Sequence, residues 1–518
     1  RLRGVKVTIT AGLVEHAGVK ILSDQIARNR FLALFAIYLV SHGGILFIPN
    51  AIYWDDWTLY QVANDEILDT MRIAGAIFNL TGHMHVFLLS IGPWFYKTLT
   101  FVLMFFSGIC LDFILKKHAS ISQDARFLIV VLFLALPFYL ARVALIDMSY
   151  TISHFVFFLA WACIEKYRLI SLILFFFSFT TNSLLVFFAL PFLEFYYRSV
   201  EGKVSGKSLI KFSLDKWYML ILPFVFFAIK LTFYAPSGLY SGYNEDYRLV
   251  NVFKSPASMV LEWFSVTLPL LPFFFVALLC YLVMRASYSN FNPELSGKKY
   301  YWVFFGIAVF VLGAFPYWIL GHVPTFSEWT SRHQLLLALG AALTITALIS
   351  FLTREVKSVF IILILAACLS VNISTYKDFF FDWKKQQALA SLIVGEDLIR
   401  DADLVLFDDR TLSLNAINRS YRTYEWTGLL ASAFEDESRF ATNASELENF
   451  VAGKMYAGYF SHGAKYRLAD FSPNKPLSTV LVTITMDKEK YRSLLNYDPG
   501  PIVKIDTRQL EKTVISFD

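Results

Sequence analysis

The sequence predicts a polytopic α-helical membrane protein of about 11 transmembrane helices with a C-terminal soluble α/β domain. Three observations predict the class. Hydrophobic residues make up 56% of the 518 and charged residues only 17%, where soluble domains run at about 45–50% and about 25%. The mean hydropathy is +0.53, and apolar runs approaching the roughly 20 residues that a helix needs to cross the hydrocarbon core recur through the first 375 positions. Beyond Tyr376 charges become frequent and short β-type runs appear. A nucleic-acid binder is a poor fit to the small net charge of +5, and Cys110, Cys163, Cys280 and Cys368 lie in apolar runs without paired spacing, so no disulfide, redox or zinc chemistry is indicated.

Residues 1–30 are polar and basic, too charged for a signal peptide, and read as a cytoplasmic amphipathic segment. The chain opens on Arg1 rather than Met, so its natural start is expected to lie upstream. Spans are expected at 31–49, 97–115, 127–146, 151–165, 217–234, 258–284, 301–320, 333–352 and 358–374. The stretch 169–197 is ambiguous, because polar residues from Ser178 to Ser183 interrupt it. Lys and Arg decide: two short crossings there place the basic segments 1–30, 116–126, 166–168, 198–216, 285–299 and 354–357 together on the cytoplasmic side. The N-terminus is then cytoplasmic, and the transmembrane region 31–375 delivers the domain 376–518 to the outer face of a plasma or inner membrane. In that domain Leu404–Phe407 and Thr479–Thr485 read as strands, Trp383–Arg400 and Ala444–Val451 as helices, and Asp408, Asp409 and Arg410 as a turn without chemistry.

The first outer loop, 50–96, holds Trp54, Asp55, Asp56 and Trp57 directly after the first span. Tryptophans suit the membrane interface. Adjacent carboxylates repel, so their pKa values are driven apart unless a cation sits between them; one acts as general base while its neighbour orients an acceptor or holds a metal. The plain alternative is a solvated loop with two acids. Farther on, Arg72 offers a planar cation to an anionic donor or pairs with Asp69 or Asp65. His83 and His85 share a face only outside a helix, and with Asp56 they form a candidate metal set lacking an obvious further ligand. In the loop 322–333, Arg332 and His333 open an apolar helix against its dipole, so an anion should compensate them; Glu328 or lipid headgroups are the alternatives. Asp112, Arg142, Asp147, Glu194 and Lys230 are near-buried charges, of which Arg142 and Asp147 line the same region or pair with each other. Tyr243 and Arg248, in a Tyr-rich outer loop, and Trp57 and Glu328 are weaker candidates for substrate contact.

An Asp-Asp-Trp motif immediately after the first of many spans resembles the GT-C glycosyltransferases, especially the bacterial glucosyltransferase-like and protein-mannosyltransferase-like members that use polyprenyl-phosphate sugars. The resemblance covers residues 30–375 in topology and the acidic motif in sequence. It implies a hexosyltransferase of the cell envelope in which Asp55 or Asp56 removes the acceptor's proton, with Asp55 favoured and Asp56 as partner. It also makes Arg72 a match for the family's loop arginine and Ser331, Arg332 and His333 a loose match for its late basic motif. The implied partners are a polyprenyl-phosphate sugar donor, a glycan, lipid or protein acceptor, and membrane lipids, with no nucleic acid; a divalent metal is admitted but not required. The rival expectations are a flippase or transporter for lipid-linked glycans, an oligosaccharide polymerase or ligase, and a scaffold whose outer domain binds a partner.

Overall fold

The computed structural model describes residues 29–200, 204–242, 247–264, 268–287, 291–326, 328–436, 438–446, 476–487 and 502–514. The expected N-terminal amphipathic segment, except for its last two residues, lies outside them. The first run gives α1 (Asn29–Phe47), which tightens into a 3-10 turn from Gly43. Short helices α2 (Asn64–Ile73) and α3 (Leu80–Ile91) fold the first loop back toward α4 (Pro93–Leu115), where Pro93 occupies the first turn because it lacks an N–H to satisfy. Then come α5 (Gln123–Ala135), α6 (Met148–Cys163), α7 (Arg168–Ser178), α8 (Ser183–Phe187), α9 (Ala189–Ser199), α10 (Gly206–Asp215) and α11 (Trp217–Phe233). Next follow α12 (Asn251–Phe264), α13 (Leu270–Ser287), α14 (Lys299–Trp318), α15 (Leu337–Ser350) and α16 (Arg354–Val394).

Among the described residues, α1, α4, α14 and α16 are long and apolar enough to cross a membrane, and α10 with α11, bent by 65°, passes as one broken span. The polar stretch 178–183 is a turn between α7 and α8, as its composition requires. Three expected spans take another form. The run 127–146 is helical only to Ala135, because Leu136 precedes Pro137 and is pushed out of the α region; residues 136–147 then run as a largely buried irregular loop. The run 258–284 is divided between α12 and α13, with Pro269 just ahead of the second. The run 358–374 is the first half of the 41-residue α16, about 60 Å long at 1.5 Å per residue. The expected domain boundary at 376 and the separate helix from Trp383 therefore fall inside one continuous helix.

The tightest helix pair is α14 with α15. A Cβ on Gly340 would lie 2.2 Å from the Phe310 backbone nitrogen, and one on Gly306 would lie 2.6 Å from that of Thr344. Glycine here lets backbone meet backbone, the usual way to bind helices where lipid offers no hydrophobic drive.

Loops meet in two groups. At one end Arg30 pairs with Asp124 (2.6 Å), Lys117 with Glu165 (3.0 Å), and Lys357 donates to Asn292 Oδ1 (2.8 Å). At the other, Ile146 meets Asp56, Ala141 meets Ser331, and the Ser237 N–H donates to the Ile73 carbonyl (2.9 Å).

The C-terminal domain continues from α16 through α17 (Asp397–Arg400) to β1 (Leu404–Asp409), α18 (Thr423–Phe434) and β2 (Phe440–Asn443), then β3 (Pro476–Leu477), β4 (Thr479–Met486), β5 (Val503–Gln509) and β6 (Thr513–Val514). The sheet order is β2-β1-β4-β5; β1 is parallel to both neighbours and β5 is antiparallel to β4. As the central strand, β1 carries the near-continuous apolar run that burial on both faces demands. Leu389 and Ile393 of α16 share a core with Val405, Phe407, Val480 and Val482, so the long helix ends beneath the sheet. The expected helix from Ala444 is a 3-10 turn to Glu446; its remainder lies outside the described residues.

Candidate active site at the domain junction

The first loop, the 136–147 loop, the 328–334 turn and α18 converge at one place. Asp55 and Asp56 sit on a 3-10 turn, Trp54–Thr58. Asp56 is fully buried: its Oδ2 accepts from the Tyr53 N–H (3.0 Å) and its Oδ1 from the Ile146 N–H (2.9 Å). Burial pushes its carboxyl up to about 6, against the pull of Lys97 and the backbone N–H groups. Lys97 is itself buried, donates to the Val143 carbonyl and lies 5.3 Å from the Tyr53 ring centroid. Asp56 thus ties the first loop to the 136–147 loop and has no oxygen turned to solvent.

Asp55 is only half buried, and burial together with the nearby Asp55 carboxylate holds the hydroxyl of Tyr424, in the first turn of α18, well above its ordinary range. Trp54, the neighbour of Asp55, has a left-handed backbone, φ 52°, which costs energy in a bulky residue unless its surroundings impose it. They do: the Trp54 N–H donates to Glu425 Oε1 (3.1 Å), and its ring stacks on Trp329 at 5.3 Å and 10°. Arg332 lies 4.6 Å from the Trp54 ring centroid and Arg419 lies 5.1 Å from that of Trp329, both within cation–π reach. Arg419 is clamped by both oxygens of Glu425, which also accepts from the Arg422 N–H (2.8 Å), the capping arrangement that starts α18.

Asp147 faces the same region. It is 1% exposed, and neither carboxylate oxygen has a hydrogen-bond partner among the described residues. Burial drives its carboxyl well above the usual range; Arg332 pulls it back, while Asp56 and Asp55 add to the rise. The expected pairing with Arg142 does not form, because that guanidinium donates to the carbonyls of Tyr139 (2.8 Å) and Phe138.

Other expected residues fall elsewhere. Arg72 is exposed on α2 and pairs with Asp69 (2.7 Å), one of the two partnerships its sequence allowed. His83 and His85 lie on helix α3, where i and i+2 diverge: His83 is exposed, whereas His85 is buried against Tyr96 with 3.1 Å between Nδ1 and the hydroxyl. The described residues contain no group of three or more His, Cys, Asp or Glu able to hold an ion, so Asp56, His83 and His85 are not brought together as such a set among them. Trp57 is buried against Gly428 of α18, so its ring joins the two halves of the molecule instead of facing a substrate. His333 stacks on His322 (5.0 Å) and packs on Tyr317 (4.8 Å) beside Arg332. Arg248 is exposed ahead of α12; Tyr243 and the side chain of Glu328 lie outside the described residues. Asp409, read as a turn residue, accepts from the buried Lys385 (2.5 Å) and fixes the domain to α16.

Sequence reasoning missed Tyr424, Glu425, Arg419 and Trp329. The Glu three residues after Arg422 is a legible helix-start signal, but nothing local says that this start faces Asp55. No family model, curated protein or solved structure matches the chain.

Proposed function

We propose that the chain is an integral-membrane glycosyltransferase of GT-C type, moving a sugar from a polyprenyl-phosphate donor to an acceptor hydroxyl on the outer face. The observation that carries this reading is the junction itself: a half-buried Asp55 near Tyr424, with Arg332 over the ring of the adjacent Trp54. In the reaction, Asp55 takes the proton of the acceptor hydroxyl as that oxygen attacks the anomeric carbon. The bond from that carbon to the phosphate oxygen breaks, and the phosphate leaves with the electron pair. Arg332 meets the charge on the phosphate, a role suited to a planar and permanently ionised group. Displacement through an oxocarbenium-like state inverts the anomeric centre. Phosphate is a good leaving group and needs no strong general acid, which suits a site of acids and arginines.

A second reading, transport of a lipid-linked glycan, draws on the polar contacts inside the bundle. Asn372 of α16 donates to Ser41 Oγ (2.6 Å), and His42 Nδ1 lies 3.1 Å from the Tyr376 hydroxyl. Intramembrane polar groups of this kind mark pathways in transporters. The discriminating experiment incubates the detergent-solubilised protein with radiolabelled polyprenyl-phosphate hexoses and candidate acceptors. A transferase releases polyprenyl phosphate and labels the acceptor; failure to consume any donor, with uptake in sealed vesicles, would favour transport.

A further inference from the structure

We propose that the seam between the 136–147 loop and the 328–334 turn is a binding subsite for a polyhydroxylated ligand, the sugar of the donor, with Asp147 as its anchoring acceptor. The proposal rests on the transferase reading and adds to it where the sugar lies. The two segments are joined by Ala141, whose N–H donates to Ser331 Oγ (2.9 Å), and Tyr139 fixes the Asp147 backbone by donating to its carbonyl (2.8 Å). Along this seam several buried polar atoms have no hydrogen-bond partner among the described residues: both oxygens of Asp147, Nδ1 of His333, both amide atoms of Gln334, and Nε1 of Trp329. Tyr317 closes one side, its ring packed on His333 (4.8 Å) and its hydroxyl donating to Ser183 Oγ (3.0 Å).

A buried polar group left unsatisfied costs about 1–3 kcal/mol, and native proteins leave few. Six such atoms from four residues at one seam mark a place that something polar fills. An apolar ligand would leave every one of them unmet. A bare anion would meet Arg332 and still leave the acceptors of the set, Gln334 Oε1 among them, unmet. A sugar ring presents hydroxyls on adjacent carbons, each able to donate to a carboxylate and to accept from an indole or amide N–H. A phosphate held at Arg332 sets an attached sugar at the seam, because Arg332 shares its turn with His333 and Gln334.

The test compares binding of polyprenyl phosphate with that of its glucosyl, galactosyl, mannosyl and N-acetylglucosaminyl esters to the full chain in detergent. At least one ester should bind more tightly than the bare phosphate. Asp147→Asn should reduce that preference about threefold to tenfold, the usual worth of one hydrogen bond, with binding of the bare phosphate unchanged. Gln334→Leu should lower the same preference and serves as the second variant if Asp147→Asn is not monodisperse. No preferred ester in the wild type, or an undiminished preference in both variants, would overturn the proposal and leave the seam to water. Wild-type protein that shows the Asp147-dependent preference yet transfers no sugar would instead sink the transferase reading and leave the subsite standing.

Discussion

At Asp56 each carboxylate oxygen faces a backbone N–H, from Tyr53 and from Ile146. An amide in its place must turn a donor toward a donor. Asp56→Asn should therefore lower stability by about 1–3 kcal/mol, read as a drop in the thermal midpoint in detergent, whereas Asp55→Asn should leave that midpoint within about 0.5 kcal/mol of the parent. Tyr424 acts through Asp55: Tyr424→Phe should lower turnover about tenfold without changing affinity for the donor, and an unchanged turnover number would assign the hydroxyl a purely structural role. The resemblance favoured Asp55 as base and Asp56 as its partner, but nothing in the local sequence showed that Asp56 is engaged by backbone N–H groups. That assignment depends on an N–H 90 positions away and on a hydroxyl in another domain, and neither leaves a local trace.

Among the elements, the long apolar spans were legible because composition and length suffice for them. The 136–147 loop was not, since its residues are as apolar as those of a span and only Pro137 betrays that the helix stops. The same limit applied to α16, whose charged second half reads locally as a new domain although its backbone hydrogen bonds continue unbroken. Close approach of α14 and α15 positions the 328–334 turn between them, so their packing bears on the site. Gly340→Ala should destabilise by about 1–3 kcal/mol through overpacking against the Phe310 backbone and should weaken binding of polyprenyl phosphate at Arg332. Gly206→Ala, where a Cβ meets nothing within 4 Å, is the control and should match the parent in both measurements.

At the scale of the whole molecule, the site exists only while the C-terminal domain is docked, and Lys385 with Asp409 is a principal fastening. Both side chains are almost fully buried, at 0% and 3% exposure, so removing one partner strands the other. Lys385→Met should cost about 3–5 kcal/mol, with part of the loss recovered by adding Asp409→Leu. Burial works to raise the Asp409 carboxyl, but Lys385 and Thr411 overcome it and hold the group below its ordinary range. Its contribution is then complete above the unfolded-state value of about 3.9 and is lost as pH falls below that toward the folded value. Hydrogen exchange at Thr423–Trp426 should accordingly rise below about pH 4 in the parent, with a weaker acid dependence in the double variant.

The most direct test of the central claim, that the junction performs general-base glycosyl transfer at Asp55, is the turnover of a polyprenyl-phosphate sugar by Asp55→Asn beside the parent at matched folding. The variant should bind donor normally and lose at least a hundredfold in transfer, the lower end of what a general base contributes. Transfer at the parental rate would contradict that claim.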